Sequence, residues 1–257
     1  MKENLTLRPV RYASVSGGKD SLMMLNVILK NPDKYPLDLV VNFDLEIDWP
    51  WAKDVVSFME DRCKKAGIRF LRIKPRKSFE ELYEKYDVPT RKCRWCNSDY
   101  KLDCKRQLNE WIRSQNCRPV AYIGFCADEQ KRFKYEIGNW KDQDICYPLA
   151  EEGICEKEIL KWAKDQEIFG NWYRIFERQG CMICPNLSRL EMAYLYKYYP
   201  AHYKDWIDKI RAYETRFSVK WQGTQSISDI DFLIRTKWLE ILSTKEQFYQ
   251  MTIFDYM

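Results

Sequence analysis

The sequence predicts an α/β protein, a three-layer, doubly wound and mostly parallel sheet followed by a helical C-terminal region. Three observations predict it. Short apolar runs of strand character alternate with longer stretches whose apolar residues recur at helical spacing. Two consecutive glycines separate the first such run from the first helical stretch, as in a strand, tight turn and helix unit. Past Pro185 the strand-like runs stop and only helical patterns continue. The alternation implies right-handed crossovers and a sheet covered on both faces.

The elements follow in order. Residues 11–16 (RYASVS) form the first strand and lead into the glycines, after which 20–30 (DSLMMLNVILK) carry apolar residues on a helical face. Residues 37–44 (LDLVVNFD) read as a buried strand. Residues 51–67 read as a helix with Trp51, Val55, Phe58 and Met59 inward and Gly67 as its terminator. A third strand at 68–73 (IRFLRI) is stopped by Pro75. A helix at 79–86 precedes the aperiodic stretch 89–96 (PTRKCRWC), and another helix runs from about 98 to 115. Residues 119–126 (PVAYIGFC) form the fourth strand, 145–149 a candidate fifth, and 156–167 a helix. Helices at 187–199, 201–217 and 229–243 complete the pattern, so the expected division is one domain over 1–185 and a helical subdomain over 186–257.

A chain of 257 residues can bury a substantial core without covalent staples. Hydrophobic residues at 46% and charged residues at 32% suit a soluble globular protein. The net charge of +5 suits phosphate-bearing ligands but is small for a dedicated nucleic-acid binder. Aromatic residues reach 15%, which packing explains better than a base-stacking platform. No apolar run has transmembrane length and the first residues lack a signal-peptide core, so a cytoplasmic protein with no membrane partner is expected. In that compartment ten cysteines point to metal or redox chemistry rather than a disulfide framework. His202 is the only histidine and stands in no nucleophile pattern, which excludes serine or cysteine triads with a histidine base.

The segment Ser16, Gly17, Gly18, Lys19, Asp20, Ser21 carries the clearest chemical signal. Adjacent glycines let backbone N–H groups converge on one point and let an anion approach closely. The following helix adds its dipole. Lys19 supplies a positive charge, and Ser16 and Ser21 supply hydroxyl donors, which together make a pyrophosphate cradle. A bare Gly-Gly would serve as a turn with a helix cap at Asp20 or Ser21; all six residues in this context favour the cradle. The glycine spacing is not that of Walker A.

SGGKDS at the end of a first strand resembles the signature of the PP-loop ATP pyrophosphatase superfamily, whose fold is adenine nucleotide alpha hydrolase-like. Residues 10–185 resemble its PAPS reductase-like branch more widely. Asp44, Asp48 and Pro50 match the acidic residues and proline that follow the family's second strand, where carboxylates can hold ribose hydroxyls or Mg²⁺. Gly124, Asp128, Glu129 and Arg132 match the glycine, acidic pair and arginine after its fourth strand, although a solvated charged loop would look the same. Lys101 matches a family lysine that could approach a phosphate or sulfate, and equally fits a helix surface. Tyr147, Pro148 and Leu149 match a further segment of structural character. The resemblance implies ATP and Mg²⁺ as cofactors, nucleotide contacts from the residues named, and catalytic roles for Lys19, Ser21, Asp128, Glu129 and Arg132.

Cys93 and Cys96, and Cys181 and Cys184, form two C-x-x-C pairs in aperiodic, basic segments. Two intervening residues let both sulfurs of a pair face one metal, and the fold would have to unite the pairs. Four thiolates suit either a four-iron, four-sulfur cluster or Zn²⁺; isolated thiols are the alternative. Adenylylsulfate reductases and the sulfur-transfer proteins of DNA phosphorothioation resemble this arrangement, Gly180 to Pro185 fitting the second pair closely. The reductases have adjacent cysteines where Cys93 and Cys96 are separated by two residues.

An intact loop of this type implies cleavage of ATP between its α and β phosphates with transfer of AMP to an acceptor, serving sulfur transfer or nucleic-acid modification. DNA or RNA is then the expected substrate, a cysteine desulfurase the type of sulfur donor, and a homodimer the expected assembly. Reduction of sulfonucleotides is the first alternative, disfavoured because no cysteine follows Cys184, and a nucleotide-binding module without turnover is the second.

Overall fold

The computed structural model describes residues 7–129, 132, 144–170 and 172–243. The chain divides into two compact units interleaved in sequence: residues 1–45, 50–76 and 101–170 in the first, and 46–49, 77–100 and 171–257 in the second. The second unit thus combines the helical tail with two short segments from the first half of the chain.

The first unit contains β1 (Arg8–Val15), α1 (Lys19–Lys30), β2 (Leu39–Phe43), α2 (Pro50–Lys65), β3 (Arg69–Ile73), α4 (Leu102–Ser114), β4 (Cys117–Tyr122), β5 (Asp144–Cys146), α5 (Pro148–Glu151) and α6 (Glu156–Lys164), with α3 (Phe79–Tyr86) belonging to the second unit. Its five strands run in the order β3-β2-β1-β4-β5, and every pairing among the described residues is parallel. This is the α/β class the sequence predicts. The order reverses between β1 and β4, so right-handed crossovers place α1 and α2 on one face and α4 on the other. β2 is buried at all five positions, as an interior strand covered on both faces must be, whereas edge strand β3 is nowhere fully buried, with Arg69 and Arg72 exposed. The core is filled by Tyr12, Val40, Val41 and Ala121 from the sheet, and by Met24, Leu25, Val55, Met59, Cys104, Ile112 and Ile159 from the helices.

The chain departs from its local pattern at four places. Phe58, expected inward, is 40% exposed, because the buried stripe of α2 runs through Ala52, Val55, Val56, Met59 and Cys63. Phe58 instead lies under the Arg62 guanidinium, 5.8 Å from the ring centroid. β4 ends at Tyr122 rather than 126: Ile123 N–H still donates to Cys146 O, but Phe125 N–H turns back to Ile123 O. β5 stops at Cys146 because Pro148, which lacks an N–H, starts α5. The helix expected from 98 begins as a π-helical turn, Cys96–Lys101, before α4.

The second unit contains α3 (Phe79–Tyr86), α7 (Trp172–Ile175), α8 (Arg189–Tyr198), α9 (Pro200–Phe217) and α10 (Ile227–Ser243). Reciprocal capping boxes start α3, where Ser78 and Glu81 exchange hydrogen bonds, and α8, where Ser188 and Glu191 do. Aromatic rings make the interior: Trp49 packs 4.7 Å from Trp172 and 5.8 Å from Tyr199, and Phe79 packs 5.0 Å from Trp95 and 6.2 Å from Trp206. The buried Asp231 of α10 ties the helices together, accepting from Tyr203 Oη at 3.1 Å, Arg211 at 3.0 Å and Arg235 at 2.9 Å. Among the described residues no helix is long and apolar enough to cross a membrane.

Candidate functional site

The loop 16–18 leaves β1 at its carboxyl end, beside the point where strand order reverses, which is where open parallel sheets bind ligands. Its shape is dictated by Gly17. The residue has φ +75°, and a Cβ there would lie 2.4 Å from the Ala52 carbonyl oxygen of α2, so only glycine fits. Gly18 is the N-cap of α1 and has no side chain with which to cap it. Ser21 folds back instead: its Oγ donates to Gly18 O at 2.9 Å and accepts from Ser16 N–H at 3.2 Å. Asn42, buried in β2, donates from Nδ2 to the last carbonyl of β1, Val15 O, at 3.0 Å and anchors the base of the loop.

Lys19 is 2% exposed, and its Nζ donates to Asp20 at 2.9 Å and to Glu156 Oε1 at 2.5 Å. Burial works against its charge, but the two carboxylates outweigh burial and hold its pKa above the ordinary lysine value. Burial pushes the Asp20 carboxyl up in spite of Lys19. Gly124, just after β4, approaches the first turn of α1 so closely that a Cβ would lie 3.1 Å from Asp20 O.

The segment after Gly124 is tied to the start of α6. Ala127 N–H donates to Ile154 O at 2.9 Å, and Glu156 N–H donates to Asp128 Oδ1 at 3.2 Å, a carboxylate at a helix N-terminus. Glu129 accepts from Cys126 N–H at 3.1 Å and pairs with Arg132, whose guanidinium lies 4.2 Å from the Phe125 ring centroid. Cys126 is fully buried, its Sγ 3.6 Å from Glu156 Oε2 and 3.9 Å from Asp20 Oδ1. Burial, then the negative charges of Asp20, Glu156 and Glu129, push its thiol far up, so it stays protonated.

Asp20, Cys126 and Glu156 each offer an atom within 4.8 Å of the others and could hold a metal ion. Two carboxylates suit Mg²⁺ while the thiol is a soft donor, so a hard cation would rest on the oxygens. Such an ion would compete with the Lys19 ammonium for the same two carboxylates. Glu156 is the residue that sequence reading misses. An acidic residue in the first turn of a helix is ordinary and carries no signal by itself.

Asp44 and Asp48 fall in different units. Asp44 is half-buried at the end of β2, where its N–H donates to Ile73 O at 2.9 Å. Asp48 acts on the cysteine-bearing unit, its charge raising Cys181. Lys101 is exposed at the end of the π-helical turn, and its charge only partly opposes the burial that raises the Cys104 thiol.

All four paired cysteines belong to the second unit. Trp95, between Cys93 and Cys96, is buried with its Nε1 donating to Asp87 O at 2.9 Å, which turns Cys96 inward. Met182 N–H donates to Ile47 O at 2.9 Å and fixes the second pair. Cys181 donates to Cys184. This bond, with Asn186 N–H, Arg178 and Arg94, draws Cys184 down, while the same contact and burial drive Cys181 up. Burial, opposed by Arg94, raises Cys96 to about 11, with the Cys184 charge adding to the rise. Cys96, Cys181 and Cys184 therefore sense one another. Cys93 is exposed, with its N–H donating to Thr90 Oγ1 at 2.9 Å, and the four sulfurs do not form a closed ligand shell in this conformation.

No family model matches the sequence. The chain is similar to an uncharacterized protein of Methanocaldococcus jannaschii, MJ0973, with 28% identity over 205 residues covering 78% of this chain and 47% of that protein. A second protein of the same organism, MJ0066, is 24% identical over 225 residues, covering 82% and 43%. The chain thus spans less than half the length of the curated relatives it matches. Among solved structures it overlaps loosely with the U34-tRNA thiolase NcsA from Methanococcus maripaludis with its [4Fe-4S] cluster, at a TM-score of 0.42 and 17% identity over 87% of this chain and 77% of that one.

Proposed function

We propose that the chain binds ATP with Mg²⁺ at the loop 16–21 and transfers AMP to an acceptor, as the activating half of a sulfur-transfer or nucleic-acid modification reaction. The observation that carries this reading is the loop itself: a glycine-obligatory turn at the carboxyl end of β1, followed by a buried lysine whose charge its neighbours preserve. Six residues with this geometry suit a pyrophosphate group better than a single phosphate.

In this reading an acceptor oxygen attacks the α-phosphorus while the bond from that phosphorus to the α-β bridging oxygen breaks, and pyrophosphate leaves with the bonding pair. The loop amides and Lys19 hold the departing charge, and Ser21 and Ser16 keep the loop in shape. Asp20 and Glu156 would hold Mg²⁺, and Asp44 would take a ribose hydroxyl. Asp128 secures the start of α6 and with it Glu156, Glu129 and Arg132 border the acceptor, and Lys101 serves an incoming phosphate or sulfate. The outer sulfur of a donor persulfide, of the cysteine desulfurase kind, then displaces AMP from the activated acceptor, and a second thiol attacks the donor sulfur, leaving as a disulfide with it so that sulfide-level sulfur stays on the acceptor.

Cys96, Cys181 and Cys184, with Cys93 as the fourth donor and Asp48 nearby, make the metal centre of this reading. The all-sulfur donor set fits an iron–sulfur cluster or Zn²⁺. When bound, such a group supplies a soft Lewis-acidic site for sulfur. Arg94 and Arg178 offset the thiolate charge.

The test is release of AMP and pyrophosphate from ATP and Mg²⁺ with nucleic-acid acceptors, using protein purified without oxygen. The wild type should release both and Lys19→Ala should release neither. Identical behaviour of the two proteins refutes the proposal.

A further inference from the structure

The second unit holds a cluster of cations of which the proposed function uses only Arg94. Arg91 and Arg189 line one cavity of about 480 Å³, with Ser188, Gln222, Thr224 and Gln225 around them. Arg189 is half-buried and held in place by neutral groups: its guanidinium donates to Gln222 Oε1 at 2.6 Å and Gln225 Oε1 at 3.1 Å. Gln222 is itself 6% exposed and locked, its amide donating to Leu187 O at 2.7 Å and Pro185 O at 3.1 Å. Arg91 spends only its Nε, on Pro185 O at 3.3 Å.

Neither guanidinium has a carboxylate partner among the described residues. Burial and then the Arg91 charge lower the Arg189 pKa, a pressure that an anion in the cavity would relieve. Two like charges lining one cavity without a counter-ion are costly, and proteins usually place an acid beside them. Lys92 and Arg94 continue the exposed segment from Arg91, and they too lack a carboxylate partner among the described residues. One phosphate needs two guanidinium forks at most. Further unpaired cations along the same strip of chain suit a series of phosphates, as a polynucleotide presents.

We infer that the Arg91 and Arg189 cavity is a binding site for a backbone phosphate of a nucleic acid, with Lys92 and Arg94 taking the neighbouring phosphates. Arg189 acts as the positioned fork, set by Gln222 and Gln225, and Arg91 closes on the anion from the exposed side. The site goes beyond the ATP-dependent reading and does not depend on turnover at Lys19.

The experiment measures binding of a fluorescein-labelled single-stranded oligoribonucleotide without ATP, across a salt series, for wild type, Arg91→Ala, Arg189→Gln and the exposed Arg113→Ala as a control in the first unit. Each cavity variant should bind about tenfold more weakly, with a salt dependence shallower by about one released counter-ion, while Arg113→Ala stays at wild-type affinity. Arg91→Ala is decisive, because its exposed side chain makes a single bond and its loss leaves the fold intact by thermal melting. A parallel arm measures stabilisation by inorganic phosphate. Oligonucleotide affinity unchanged in both cavity variants overturns the inference. So does phosphate stabilisation that depends on Arg91 and Arg189 without any such dependence for the oligonucleotide, an outcome that would mark a site for a free anion.

Discussion

The ammonium of Lys19 lies 2.5 Å from Oε1 of Glu156, although the two residues are 137 positions apart. The contact joins α1, the helix after β1, to the start of α6, and it turns a lysine that burial would discharge into a fixed cation. Glu156 also reaches Cys126, and its own N–H is held by Asp128. One carboxylate therefore links the loop to the segment after β4.

Glu156→Gln keeps the shape and removes the charge. If Glu156 and Asp20 carry Mg²⁺, the variant should need about tenfold more Mg²⁺ for half-maximal pyrophosphate release, in line with losing one charged ligand. A Mg²⁺ titration of the initial rate reads this directly. An unchanged midpoint would remove Glu156 from the metal site and leave it as the partner of Lys19.

Gly17→Ala should destabilise the first unit by about 1–3 kcal/mol and abolish nucleotide binding, because it combines positive φ with a collision against the Ala52 carbonyl. Gly67→Ala is the matched control. It has a similar φ of +70° but open space around the Cβ, so it should cost only the backbone part, about 1 kcal/mol. Urea unfolding with and without ATP separates the two effects.

Serine substitution at Cys96, Cys181 or Cys184 should each remove most of the bound metal, about tenfold or more, because these three sulfurs already sense one another in the fold. Cys93→Ser should retain more metal than the other three, since its sulfur is exposed while theirs are half-buried. Metal analysis and absorption spectra of anaerobically purified proteins decide both the ranking and the choice between an iron–sulfur cluster and zinc.

Stability should fall on the alkaline side. Burial raises the Cys63 thiol from 9.0 to about 11 and the Cys104 thiol from 9.0 to about 12. The folded chain therefore keeps protons that the unfolded chain sheds. The stabilisation from these thiols is fully present below 9 and is lost as pH rises through the folded values, at up to about 1.4 kcal/mol per group per pH unit. Lys19, also raised, adds a loss that begins above 10.5. Urea melts from pH 8 upward should show this slope, and Cys63→Ala with Cys104→Ala should flatten it between 9 and 11.

Local chemistry made part of the site legible. Gly17, Gly18 and Lys19 are neighbours in sequence, and their strand, turn and helix context is set by adjacent apolar runs, so the loop can be read without the fold. The helix start after Ser78 was similarly local, whereas the helix expected from 187 begins only after its cap at Ser188. Phe58 misled because helical spacing places it near the stripe of Val55 and Met59, and only the packed neighbours decide where the stripe ends. The π-helical turn after Cys96 has no periodic signature that distinguishes it from the helix it precedes.

By itself the sequence determined the α/β class, the order of the strands along the chain and the loop at 16–21, because each depends on side-chain period and on residues in direct succession. Tertiary structure alone decided the strand order across the sheet, the pairing of Lys19 with Glu156, the placement of Cys126 against both carboxylates, and the exposure of Cys93 against the half-buried Cys96, Cys181 and Cys184. These are contacts between residues far apart in the chain. Their energies arise from burial and from charges brought together in a poorly screened interior, and neither exists until the strands and helices have packed.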